Sequence, residues 1–423
     1  MRWRSGRSST GPGIVARTGR SLARPNYRRF IGGHAISMIG TWMQRVAQDW
    51  LVLELTHSAF AIGVTMALQF LPILVFGLWG GVLVDRFDRR ALLLLTQAMS
   101  AVLATILATL TLLDRVNLAT VFVMATLLGF VTVIDSPARQ AFLADLVTAD
   151  DYVNAQALNS TIHNAGRLVG PALAGLIIAA GGPGTAFAVN AVSFAAVLVG
   201  LVRIDPAQLQ PRHRIPRAKG QILEGLRYAG RHRELRACLI LVAIIGVFGQ
   251  NFRVVLPITA TEVLHGDAAT YGYLTAALGL GAVVGAVSAA SMHTVSGRSL
   301  LLWTLGFASV NLATALLSGM LLLLSAMVAL GVGNILFNTL ARSLLQLRSE
   351  RAMHGRVMSL HSLLFLGSTP LGGPLSGWVC TVAGSRWAFA MAAVTAFTAA
   401  ACTSRDLLAA GSGVVEPVAA EPV

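Results

Sequence analysis

Residues 203–236 read RIDPAQLQPRHRIPRAKGQILEGLRYAGRHRELR, the only long polar run in the interior of this chain, with nine Arg or Lys and three acidic residues. On each side the sequence is almost unbroken apolar chain. Six hydrophobic spans precede the run and six follow it. A polar linker between two equal apolar blocks marks a duplication joint, and it organises the rest of the sequence.

Composition excludes most other readings. A soluble chain of 423 residues would hold about three domains. Here 55% of residues are hydrophobic, only 12% are charged, and the mean hydropathy is +0.70. About 20 apolar residues cross a hydrocarbon core about 30 Å thick. Runs of that length are expected at 30–53, 59–84, 91–113, 117–135, 154–181, 184–202, 237–260, 270–292, 299–317, 320–341, 355–381 and 387–409. The division of 299–341 falls at Ser318-Gly319, the natural tight turn in a stretch without charge. The short alternating segments of a barrel are absent. The expected fold class is an all-α membrane protein of twelve transmembrane helices in two pseudo-symmetric six-helix bundles.

The formal charge of +14 does not imply nucleic acid, because the cations fall in loops on one side of the spans. With the N-terminus inside, the inner segments hold 27 of the 32 Arg and Lys residues. Both termini are therefore expected in the cytoplasm. The domains are an Arg-rich tail (1–29), a first bundle (30–202), a basic linker (203–236), a second bundle (237–409) and a disordered tail (410–423). Cys238, Cys380 and Cys402 lie in apolar spans without metal-ligand spacing, so neither a disulfide framework nor a metal site is expected. The near absence of lysine, Lys219 alone, suggests a high-GC bacterium.

The two halves repeat. Arg45-Val46 recurs as Arg253-Val254, Gly175 is answered by Gly377, and Ala138-Arg139 recurs as Ala341-Arg342. Parallel duplication of this kind lets two bundles rock about a central site.

Ionisable residues inside spans are costly and become functional candidates by default. Arg45 lies about 22 Å along its helix from Phe30, and Arg167 about 20 Å from Asn154. Arg253 repeats Arg45 in the second half. These three arginines, with Gln44 and Gln250, are the candidate substrate contacts. Three guanidiniums against one comparably deep carboxylate, Asp49, favour an anionic substrate. An arginine cannot cycle its proton near neutral pH, so Asp49 is the candidate proton-coupling group. Its spacing one turn from Arg45 predicts an intrahelical pair. Asp135 and Arg139 share the same spacing, and are expected to join Asp85, Arg86 and Arg89 in a gating network at the inner edge. His34, His163, His293 and His361 are scattered without ligand spacing and are expected to be packing or interfacial residues. No Walker loop or enzyme constellation is present, so the chain is expected to be neither an ATPase nor any other enzyme, with no cofactor.

Two segments carry a resemblance. Residues 80–90, GGVLVDRFDRR, resemble the signature loop of the major facilitator superfamily, G-x-x-x-D-R/K-x-G-R/K-R/K, with Asp88 where the pattern has Gly. Residues 166–175, GRLVGPALAG, resemble the superfamily's antiporter motif, G-x-x-x-G-P-x-x-G-G, with Ala174 in place of one Gly. Gly166, Gly170, Pro171 and Gly175 are thus candidates for close helix packing. Residues 40–52 (GTWMQRVAQDWLV), 135–140 (DSPARQ) and 355–360 (GRVMSL) are similar to one branch, the transmembrane secretion effectors, exporters similar to the enterobactin exporter.

The resemblance implies the major facilitator fold and a proton-coupled exporter of a small organic molecule. Its expected partners are substrate, protons and the lipid bilayer, as a monomer in a bacterial inner membrane. Alternatives are an importer or lysophospholipid flippase of the same fold, and a receptor or scaffold that transports nothing.

Overall fold

The computed structural model describes residues 20–210, 221–292, 295–351 and 353–409. Residues 1–19, 211–220 and 410–423, which hold most of the expected tails and the centre of the linker, lie outside the described residues, as does His293.

The described chain is helical almost throughout. The first half contains α1 (Pro25–Thr56), α2 (Ala59–Arg86), α3 (Arg89–Leu112), α4 (Leu118–Leu146) and α5 (Ala149–Val202). Linker helix α6 (Gln221–Arg231) leads to α7 (Arg233–Gly249), α8 (Phe252–Ile258), α9 (Ala268–Ala290), α10 (Gly297–Leu316), α11 (Met320–Arg348), α12 (His354–Ala383) and α13 (Ser385–Ala409). Nine helical runs among the described residues are long and apolar enough to cross a membrane. The protein is an all-α, multi-pass membrane protein. Helices α1 and α12 have the length, 32 and 30 residues, with a more polar makeup.

Local chemistry sets the breaks. Helix α5 runs for 54 residues but is interrupted at Gly182, whose φ of 76° ahead of Pro183 separates two arms. Gly319, at φ 103°, makes the turn between α10 and α11. Ser58, Asp88, Asn117, Asp267 and Ser296 each accept a hydrogen bond from the first turn of the helix that follows, satisfying an otherwise orphaned N–H. At Asp88 the family pattern has Gly. The structure shows no left-handed turn there: Asp88 is extended, at φ −68°, and its side chain caps α3 through the Ala91 N–H at 2.8 Å.

The expected span at 237–260 is not one helix. It unwinds at Gln250 and Asn251, restarts as α8, and continues through a π-helical turn over Thr259–Val263. Pro257 removes one backbone donor from this stretch. The unwinding re-aims Arg253 toward the first half.

Helix α1 packs on both arms of α5, and α9 on α11. Between halves, α2 lies against α12, and α5 against α9. The closest backbone approaches of the two halves cluster toward the end of the molecule where α1 turns into α2 at His57. There a Cβ on Gly272 would sit 2.7 Å from the Pro171 carbonyl oxygen and 2.9 Å from the Gly175 Cα. The motif in α5 therefore has two partners. Gly175 and the Pro171 carbonyl face α9 of the other half, whereas Gly166 and Gly170 let α1 approach, with Trp42 against both.

Candidate functional site

A polar cavity of about 450 Å³ lies among α1, α2, α3, α4 and α5. All its lining residues precede the linker, the last being Phe194. Gln44 and Arg45 belong to it. Of the other expected substrate contacts, Arg167, Gln250 and Arg253 do not line it. Gln250 is half-buried at the break between α7 and α8.

Arg253 instead crosses to the first half. Its Nε donates to Asp49 Oδ2 at 2.9 Å, and a terminal nitrogen donates to Oδ1 at 2.7 Å. The Tyr271 hydroxyl on α9 donates to the same Oδ2 at 3.1 Å, and Gln69 of α2 lies at 3.5 Å from the remaining guanidinium nitrogen. Asp49 has no exposed surface. The expected Asp49–Arg45 pair is therefore corrected. Helical spacing permits it, but a bidentate fork from the opposite half satisfies both carboxylate oxygens, and Arg45 turns elsewhere.

Arg45 lies over the Trp42 ring at 4.5 Å from its centroid, and Arg167 approaches the same ring at 5.9 Å. His163 meets the indole edge-on at 5.7 Å. Neither Arg45 nor Arg167 has a carboxylate partner among the described residues. The aromatic face holds their charge without neutralising it.

The expected gating residues separate into two clusters. In the cavity Asp135 accepts from Arg139 at 2.5 Å, from Thr96 at 2.8 Å and from Gln97 at 2.7 Å. Arg139 also donates to His34 Nδ1 at 2.5 Å, because a guanidinium has no acceptor, and this places the ring proton on Nε2. Arg89 pairs with Asp145 at 2.6 Å and donates to the Ala141 carbonyl. Asp85 and Arg86 are exposed at the end of α2. Arg89 meets Asp145, nearly three turns of α4 beyond Asp135, and Asp135 instead meets Arg139.

Residues 21–415 match the family described as transmembrane secretion effector. The chain belongs to that family. It is 27% identical to the Staphyloferrin A transporter of Staphylococcus aureus over 60% of this chain, and it spans 64%, under two thirds, of that protein. It is 27% identical to the multidrug efflux pump Tap of Mycolicibacterium fortuitum, covering 83% of this chain and 88% of the pump. It is 26% identical to the enterobactin exporter EntS of Citrobacter koseri, covering 84% and 85%.

The fold matches a bacterial homologue of the lysosomal transporter Spinster, with TM-score 0.70 at 13% identity over 94% of this chain and 99% of that one. It also matches the nucleoside transporter NupG, with TM-score 0.73 at 11% identity over 92% and 99%. The chain is a secondary active membrane transporter of the major facilitator type, akin to several efflux families. These relatives are transporters, not enzymes.

Sequence reasoning missed several of the transporter's cavity residues. His34 and His163 were expected to be packing or interfacial residues, yet both line the cavity. Gln69, Gln97 and Asn190 were not singled out at all. Their signal was available, since each is a polar side chain within an apolar span and each is buried. Tyr271 carried no signal, because its role depends wholly on meeting Asp49 across the interface.

Proposed function

We propose that this transporter exports small organic anions in exchange for protons by alternating access. In this reading twelve spans form two six-helix bundles over 30–202 and 237–409, working as a monomer with both termini on the cytoplasmic side of a bacterial inner membrane. The N-terminal half supplies the anion site. Arg45, which lines the cavity and has no carboxylate partner among the described residues, supports an anionic substrate. Arg167 reinforces the positive field from behind Trp42.

The observation that carries the reading is the Asp49–Arg253 ion pair. It ties one half to the other toward the His57 end, which the distribution of arginine makes the outer end. A cavity in the first half that the contact with the second closes at this end can reach the outside only after that bond breaks. Proton binding to Asp49 removes the charge that holds Arg253, and so couples proton entry to outward opening. The pair Asp135–Arg139 within the cavity, and Asp85, Arg86 and Arg89 at the inner edge, serve the opposite gate. Export rather than import is supported by the Gly-Pro motif of α5 and by efflux relatives.

Transport into proteoliposomes under an imposed pH gradient tests this. A panel of carboxylates, catecholates and lipophilic cations should yield gradient-driven movement of anions. Asp49→Asn should retain exchange and lose the acceleration by the gradient. If the variant concentrates substrate with unchanged pH dependence, or if only cations move, the reading is wrong.

A further inference from the structure

Two buried amides facing the cavity each leave one polar atom without a partner. Gln97 is 2% exposed and Gln48 is 3% exposed, and both line the cavity. Gln97 donates its Nε2 to Asp135 Oδ1 at 2.7 Å. A carboxylate in an ion pair only accepts, so this bond fixes which end of the amide is which. The remaining Gln97 Oε1 is buried and accepts nothing. Gln48 Nε2 is buried and donates to nothing. Native structures leave few buried polar atoms unsatisfied, and each such atom calls for a partner.

The charges of the cavity are otherwise settled. Arg139 is matched by Asp135, and His34 is satisfied as an acceptor from Arg139. Gln44 is held by Asn190. The Arg45 guanidinium, the buried Gln48 donor and the buried Gln97 acceptor stay open among the described residues, all on walls contributed by residues before the linker. A simple carboxylate would satisfy the first two. It would leave Gln97 Oε1 orphaned, because a carboxylate has no hydrogen to give.

Resting on the anion reading above, we propose that the ligand is a hydroxyl-bearing carboxylate bound by the N-terminal half alone. Its carboxylate lies on Arg45, an oxygen accepts from Gln48, and its hydroxyl donates to Gln97 Oε1. The cavity volume of about 450 Å³ falls within the usual range for small-molecule sites.

The test is calorimetric titration of the purified full-length protein with matched acids: citrate against tricarballylate, and malate against succinate. Each pair differs by one hydroxyl. The hydroxy acid should bind about tenfold more tightly than its deoxy partner, since a site built to accept a proton penalises the analogue that lacks it. Gln97→Met should abolish the difference while keeping the affinity of the deoxy acid. Arg45→Gln should lose both members of each pair.

Asn338→Ala, which removes a buried unpartnered amide oxygen on α11 after the linker, should leave the difference intact. If both acids bind equally, with Gln97→Met silent, water fills the cavity beside Gln97 and the inference falls while the anion reading stands. If Asn338→Ala abolishes the difference instead, the second half holds the hydroxyl and the inference falls as well. If no acid binds and Arg45→Gln has no effect, the anion reading itself fails and takes the inference with it.

Discussion

Arg253 of the second half grips both carboxylate oxygens of Asp49 in the first, at 2.9 and 2.7 Å, although 204 residues separate them in sequence. The bond replaces the intrahelical Asp49–Arg45 contact and leaves Arg45 free in the cavity. Breaking one partner of a buried pair costs about 3–5 kcal/mol, because the other charge stays behind uncompensated.

Arg253→Gln alone should therefore lower thermal stability markedly, and Arg253→Gln with Asp49→Asn should recover much of the loss. Melting of the singles and the double in the same detergent provides the check. Additive losses would mean that the two residues do not act as a pair.

Trp42→Leu should weaken anion binding, because it removes the surface on which Arg45 and Arg167 rest. Cation–π contacts contribute about 0.5–2 kcal/mol, so a loss of affinity of about twofold to thirtyfold is expected. Trp42→Phe should retain part of it. Titration with the best-bound anion compares the three proteins.

Gly272→Val should drive a wedge between α9 and α5, since even a Cβ there would lie 2.7 Å from the Pro171 carbonyl oxygen. Backbone cannot yield as a flexible side chain can. Membrane insertion should be normal, transport lost, and cysteines placed near the His57 end newly reactive from outside. Unaltered reactivity would show that this contact is not part of the closed end.

Asp267 caps α9 from the loop outside the span, and the Thr270 backbone N–H holds its carboxyl below the ordinary aspartate range. A depressed value means that the stabilisation is present above the ordinary aspartate pKa and is lost as pH falls through the folded-state value. Asp267→Ala should cost about 1 kcal/mol near neutral pH. The melting difference between variant and wild type should shrink in acid.

Much of the architecture was legible in one dimension. Apolar run length, the turn at Ser318-Gly319 and the break before Pro183 report on solvent and backbone constraints that each residue meets locally. In lipid a backbone must satisfy itself within a helix, so length and hydropathy are nearly sufficient for that level. The same locality explains why Arg45, Arg167 and Asp49 stood out, since a charge in a span is costly wherever it points.

Partner choice was only partly local. Helical spacing offered Asp49 to Arg45 and Asp135 to Arg139; the second pair is formed, whereas the fold gave Asp49 to Arg253 and Arg89 to Asp145. Those outcomes depend on which faces of α1, α4 and the unwound stretch at Gln250 and Asn251 meet other helices. Sequence alone determined that costly polar groups sit inside an apolar chain. Only the packing of helices in space, within the first half and across to the second, decided which of them neutralise each other and which, like Arg45 and Gln97, are left open toward the cavity. The physical reason is that a buried charge or amide takes the best partner in space, and helix rotation and crossing, not separation along the chain, set what is in reach.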